Sequence, residues 1–499
     1  MRFPRASGIL LHPTSLPGPH GSGDLGADAR HFVDWLVAAG QTLWQMLPLG
    51  GTGAGNSPYM SGSAFAGNVQ LIDLEELHRS GWLDAADLVP APGFDASRLN
   101  FDAVAPFRMQ RLARAATRFA ASASDTQRAA LAAFCAQEQH WLDDYALFMA
   151  LCEAHDGLDW CDWPQALAMR DAGALAAARQ QHAARVHFWQ FGQWIFFSQW
   201  LALKAYAGAR GIRIIGDAPI FVSHQSADVW AHQSLFMLDA AGRPQVVSGV
   251  PPDFFSATGQ RWGNPLYRWS AHAADTYAWW VARLRHVLRQ VDIVRIDHFR
   301  GFAGCWEIAA DEPTAVNGRW VPGPGAALFD AVVQALGEVP VIAEDLGVIT
   351  PDVHTLRKQF GFPGMRVLQF AFNGGADNGF LPHHHTPDSV VYAGTHDNDT
   401  VVGWWAGAGD DERHFARAYL ATDGHDMPWT LIRAACVSVA DMAVHAMQDV
   451  LCLAGEHRMN FPGRASGWWT WRFQWKQVQP WHAHRLAEFA RLYGRRPPA

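Results

Sequence analysis

The 499-residue chain is poor in charge: 17% of its side chains are charged, with 39 Lys and Arg against 47 Asp and Glu and a formal net charge of −8. That balance excludes a general nucleic-acid binder, whose phosphate contacts need clustered cations. Cysteine is scarce. The six present (Cys135, Cys152, Cys161, Cys305, Cys436 and Cys452) include no Cys-x-x-Cys pair. They read as buried free thiols in a reducing cytoplasm, and their spacing disfavours zinc. No run of about 18 apolar residues occurs, so no membrane-spanning helix is expected. Met1-Arg2-Phe3-Pro4-Arg5 leads into no apolar stretch of signal-peptide length. The glycine-rich segment Gly50–Tyr59 lacks the Gly-Lys-Ser/Thr ending of a phosphate cradle. His383-His384-His385, set between Pro382 and Pro387, reads as a solvated loop rather than a ligand set.

Apolar surface is plentiful. Hydrophobic residues make up 49% of the chain, enough to exclude disorder, and 24 Trp stand against 8 Tyr. Indole faces stack on sugar rings, but most of these tryptophans are expected to pack the core. Of those outside helical patterns, Trp262 lies in a loop suited to a glycan and Trp44 just upstream of the Ser57–Tyr59 loop. Eight short apolar runs read as buried parallel strands: 8–11, 42–49, 212–215, 293–296, 339–343, 365–372, 390–393 and 443–447. Helical patterns at 28–39, 276–290, 352–359 and 411–420 alternate with them. A (β/α)₈ TIM barrel is the leading architecture, with a doubly wound sheet as the alternative. Residues 75–200, rich in Ala, Gln and Leu, are too long for a simple βα unit. They read as a mainly helical insertion, with helices over 108–121, 126–149 and 165–180, within one catalytic barrel spanning 1–499.

A barrel delivers its chemistry from the C-terminal ends of its strands. Those ends carry Asp217, Arg295 with Asp297, Glu344 with Asp345, His396 with Asp397 and Asp399, and Gln448 with Asp449. Carboxylates gathered at one end repel one another, so the pattern points to chemistry: a hard-cation site or glycosyl transfer. Arg295 and Asp297, two apart in a strand, share one face. The guanidinium is expected to keep Asp297 ionised, which suits a nucleophile; a buried structural ion pair is the bland reading. His396 offers a donor to a sugar hydroxyl. The loop at 50–59 reads as a mobile lip presenting Ser57 and Tyr59. The segment 250–265, with Phe254, Phe255, Trp262, Gln260 and Asn264 among its prolines, reads as a loop over a carbohydrate.

The segments 6–16, Ser57-Pro58-Tyr59, 250–265, 295–299, 343–347 and 395–399 together closely resemble glycoside hydrolase family 77, the 4-α-glucanotransferases or amylomaltases. The matching motifs run from residue 6 to about residue 472, in the family's order. The resemblance implies a barrel without the C-terminal β-sandwich of α-amylases and without an added N-terminal module. It implies Asp297 as nucleophile, Glu344 as general acid/base and Asp397 as the carboxylate stabilising the transition state, supported by Arg295 and His396. Ser57, Tyr59, Asp217, Gln260, Trp262 and Asn264 would then line the glucan near the scissile bond. The implied partners are an α-1,4-glucan donor and a glucose or maltooligosaccharide acceptor, with no cofactor and no metal. Retention requires the Asp297 and Glu344 carboxyls to stand about 5–5.5 Å apart. Ala54, Asn56, Arg464 and Trp468 depart from the family's usual residues, at positions that bear on chain-length preference.

Overall fold

The computed structural model describes residues 3–252 and 256–496. Eight parallel strands form one sheet: β1 (Ala6–Leu10), β2 (Leu43–Gln45), β3 (Arg213–Pro219), β4 (Ile293–Asp297), β5 (Val341–Ala343), β6 (Gly364–Val367), β7 (Ser389–Tyr392) and β8 (Met442–Ala446). Their spatial order is β6-β7-β8-β1-β2-β3-β4-β5. The gap between β5 and β6 is bridged by Ala343 N–H to the Pro363 carbonyl at 2.9 Å. The result is the expected (β/α)₈ barrel. All eight apolar runs supply strands, although β2 is only three residues long and the run at 365–372 turns into a 3₁₀ helix after Val367.

β1 and β8 are buried along their whole length because helices cover the outside and side chains fill the inside. A polar bond crosses the interior: Tyr392 Oη of β7 donates to Gln45 Oε1 of β2 at 2.8 Å. Outer helices include Ala27–Ala38, Ala278–Gln290, Ala326–Leu336 and Pro480–Leu492. The helix expected from 276 starts at Ala278, because Thr276 and Tyr277 take left-handed backbone conformations that break the approach.

Between β2 and β3 lie long helices at Phe101–Ser122, Asp125–Ala154 and Ala183–Gly208, with shorter ones at Gln165–Ala168 and Ala172–Gln181. The second long helix opens on a capping box in which Ser124 Oγ accepts from Gln127 N and Gln127 Oε1 accepts from Ser124 N. The pattern at 165–180 is split at Arg170, whose φ is +61°.

A second sheet went unread in the sequence. It is antiparallel, in the order Gln260–Pro265, Val246–Val250, Gly304–Ala309, Gly318–Pro322. The segment expected as a loop at 250–265 therefore contains a strand; Gln260 and Trp262 share one face of it, and a bulge with Gly263 at φ +85° breaks the alternation before Asn264. Phe254 and Phe255 lie outside the described residues.

Of 24 tryptophans, Trp44, Trp160, Trp200, Trp230, Trp280 and Trp429 are among the most deeply buried side chains. Trp44 is thus core rather than glycan surface, its indole N–H donating to the Leu11 carbonyl at 2.8 Å. All six cysteines are free, but Cys452 is exposed and only Cys305 and Cys436 are fully buried. In the histidine run, His383 and His384 are exposed. His385 is buried, its ring between Ser438 Oγ and the Phe380 carbonyl. Among the described residues no helix is long and apolar enough to cross a membrane.

Candidate active site

Asp217 on β3 and Arg295 on β4 are register partners, and Asp297 follows Arg295 on the same face. Arg295 Nη1 donates to Asp217 Oδ2 at 2.6 Å and Nη2 to Asp297 Oδ1 at 3.0 Å. The Asp217 oxygen also accepts from Tyr59 Oη at 2.7 Å, and the phenol oxygen lies 2.9 Å from His396 Nε2. The phenol has one proton, given to Asp217, so the second contact requires His396 to carry its proton on Nε2. The same nitrogen lies 3.4 Å from Asp397 Oδ1. One polar chain therefore runs from Asp297 through Arg295, Asp217, Tyr59 and His396 to Asp397.

Glu344 begins where β5 ends, and its carboxylate accepts from His298 N at 2.6 Å and Leu346 N at 2.8 Å. His298 can aim its amide this way because its φ is +52°, a left-handed conformation uncommon outside glycine. Its ring meets Trp262 edge-on, with centroids 4.8 Å apart. Trp262 Nε1 donates to Gln260 Oε1, and Asn264 Nδ2 reaches Met60 Sδ. Ser57 Oγ accepts from Tyr59 N and caps the turn Pro58–Met60, a contact that uses one lone pair and not the hydroxyl proton. The expected mobile lip is a pair of 3₁₀ turns that fixes Tyr59 in the polar chain.

Burial opposes the charge on Arg295, but Asp217 and Asp297 outweigh it and hold the guanidinium protonated. Asp297 behaves otherwise than expected from its neighbour. Burial, reinforced by Asp217, Glu344 and Asp397, overcomes Arg295 and pushes its carboxyl up to about 8. The guanidinium is divided between two carboxylates, so neither receives all of it. Glu344 is also raised, by burial first, with Asp345 adding to it and Arg295 and the two amides opposing. Burial lowers His396 and keeps it neutral despite Asp397, and burial with Asp217 raises the Tyr59 phenol well above its usual range.

Not every strand-end acid joins this cluster. Asp345 accepts from Met365 N at 2.7 Å and faces Arg357 and Arg366. Asp449 accepts from Val401 N at 2.7 Å, beneath the helix Val401–Gly407. Both hold backbone. Conversely, Asn460 was missed. Its Nδ2 donates to Asp397 Oδ1 at 2.7 Å from a turn beyond the last barrel strand, where strand-end reading has no purchase. His298 was overlooked as a positioning residue although it sits beside Asp297. Among the described residues no three His, Cys, Asp or Glu side chains are arranged to hold a metal ion.

A family model described as 4-alpha-glucanotransferase matches residues 11–478. The 4-alpha-glucanotransferase of Thermus thermophilus is 52% identical over 98% of this chain and 99% of its own. That of a Synechocystis species is 47% identical over 99% and 98%. The solved amylomaltase of Streptococcus agalactiae in complex with acarbose superposes with a TM-score of 0.95 at 37% identity, covering 98% of this chain and 99% of its own. On this evidence of sequence and fold along nearly its whole length, the chain belongs to glycoside hydrolase family 77, the 4-α-glucanotransferases.

Proposed function

We propose that the protein transfers α-1,4-glucan segments from a donor chain to the 4-hydroxyl of glucose or a maltooligosaccharide by a retaining double displacement. Asp297 attacks the anomeric carbon while Glu344 gives its proton to the departing glycosidic oxygen. Glu344 then takes the proton from the acceptor's 4-hydroxyl, which attacks the glycosyl-enzyme and releases Asp297. Asp397 faces the positive charge that develops on the sugar ring. Arg295 and His396 hold the carboxylates, while Ser57, Tyr59, Asp217, Gln260, Trp262 and Asn264 lie along the glucan path. The free thiols fit a reducing cytoplasm as the working compartment.

The observation that carries this reading is the polar chain joining Asp297 to Asp397 through Arg295, Asp217, Tyr59 and His396. Acid assistance needs a carboxyl that keeps a proton near neutrality, and burial raises Glu344. Asp297 attacks only as the carboxylate, so the proton that burial favours on the pair must sit on Glu344 while Arg295 holds the charge on Asp297. Incubation with maltotriose tests it. A ladder of longer oligosaccharides with free glucose is expected, and Asp297→Asn abolishes it. Steady accumulation of reducing ends without the ladder would make the protein an α-glucan hydrolase instead.

A further inference from the structure

We propose that Asn460 is a positioning residue for Asp397, holding one carboxylate oxygen so that the other faces the reacting sugar. The inference rests on the reading of Asp397 as the carboxylate that stabilises the transition state.

Asp397 stands on the open loop after β7 and its side chain keeps 42% of its exposure. An exposed carboxylate on a loop turns freely about its side-chain bonds unless something holds it, and stabilising a transition state demands a fixed orientation. Apart from Thr395 Oγ1, which accepts from Asp397 N, the bonds that hold residue 397 come from one short turn, 458–460. Asn460 Nδ2 donates to Asp397 Oδ1 at 2.7 Å, and Asn460 N donates to the His396 carbonyl at 3.1 Å. Arg458 Nη2 donates to the Asp397 carbonyl at 2.7 Å, while its Nε donates to the Asn460 carbonyl at the same distance. The turn therefore grips residue 397 by side chain and backbone and residue 396 by backbone. A carboxylate only accepts, so the amide must present nitrogen to it, which defines the side chain's orientation. Among the described residues Asp397 Oδ2 has no hydrogen-bond partner, whereas Oδ1 accepts from Asn460 and lies 3.4 Å from His396 Nε2, whose proton is directed at Tyr59.

The turn is itself anchored. Trp469 N donates to the Met459 carbonyl at 2.8 Å, and Trp469 does so from a left-handed conformation, φ +66°. A bulky residue held there marks a position that its surroundings over-determine. Its ring packs against both Tyr59 and His396, with centroids 5.8 and 6.1 Å apart. The Arg458 guanidinium lies 4.3 Å from the centre of the Phe461 ring, which fixes the donor that reaches Asp397.

The test compares Asn460→Ala, Asn460→Ser and Asp397→Asn in maltotriose disproportionation, with thermal unfolding of each. Losing one hydrogen bond to a charged group corresponds to about a 10- to 100-fold effect. Asn460→Ala is expected to lower kcat by that factor, with KM changed less than about 3-fold and the unfolding temperature held. Asn460→Ser, which keeps a short donor, is expected to recover part of the loss. A kcat for Asn460→Ala within about 3-fold of the parent overturns the proposal, as does a loss confined to KM or one that follows unfolding in both variants. Should Asp397→Asn itself retain full transfer, the underlying role of Asp397 falls, and that result is distinct from failure of the Asn460 variants alone.

Discussion

Arg295 sits where two carboxylates compete for one guanidinium. Its side chain is 4% exposed and that of Asp217 fully buried, so each depends on the other for compensation. Replacing Arg295 with Met leaves Asp217 buried without its cation, a change expected to destabilise the fold by about 3–5 kcal/mol. Arg295→Lys keeps the charge but has no planar fork to reach Asp217 and Asp297 together. It is expected to lower kcat by about 100-fold or more while the fold survives, as assayed by maltotriose transfer and thermal unfolding. Activity near the parent's in Arg295→Lys would show that charge alone suffices. This pair was legible in the sequence because a strand period of two fixes which side chains share a face. Asp345 and Asp449 were read by the same rule and serve the backbone instead, since the rule gives the end of a strand and not what lies opposite. The electrostatic sign at Asp297 was beyond reach for a related reason. It depends on Asp217, Glu344 and Asp397, each brought in by a different strand.

At the level of elements, the barrel strands were visible because burial on both faces makes them continuously apolar. The antiparallel sheet was hidden by its polar, half-exposed strands, among them Gln260-Arg261-Trp262-Gly263 and Gly318-Arg319-Trp320. The helix Ala183–Gly208 shows how an insertion is fastened to the active-site wall. Gln193 Oε1 accepts from Gly67 N at 2.8 Å, and Gln193 Nε2 donates to the Gly67 carbonyl at 2.9 Å. Gln199, six residues on, pairs with both backbone groups of Asp73 in the same way. Gly67 admits no side chain, because a Cβ there would strike the Phe196 ring of the same helix. The segment so pinned follows directly on the turn that holds Tyr59. Gln193→Leu orphans one buried N–H and one buried carbonyl, expected to reduce stability by about 2–4 kcal/mol in denaturant unfolding. A loss under about 0.5 kcal/mol would mean that the segment re-pairs and the double hydrogen bond is incidental.

The molecule as a whole carries two opposed sets of buried titrating groups, and together they set its stability profile. Burial lowers His12, His298 and His445 to about 3 and His272, His286 and His385 to about 4. In the unfolded chain these rings protonate near 6.5. Below that pH the unfolded state therefore binds protons that the native state refuses, and stability falls as pH falls from about 6.5 toward 4. Asp297 and Asp449 have the opposite sign. Burial raises them to about 8 and about 7, so the native state keeps protons that the unfolded chain loses near 4. Their contribution is present in acid and is lost as pH rises through 7 to 8. Between pH 4 and 6.5 these six histidines, with His20, His224, His232, His396 and His482 lowered in the same direction, act against a smaller set of raised carboxyls. That set also includes Asp73, Glu76, Asp143, Asp228, Glu344 and Asp345, and the acid side wins. Above 6.5 the histidines are neutral in both states and only the carboxyl slope remains. The unfolding temperature is accordingly expected to peak between about pH 6.5 and 7, dropping steeply on the acid side and gently on the basic side. Asp449→Asn keeps an oxygen for Val401 N and removes one of the two carboxyls raised furthest, so it should flatten that limb and leave the acid limb nearly unchanged. A parent stability that rises steadily from pH 7 down to pH 5 would show that the buried histidines accept protons without unfolding.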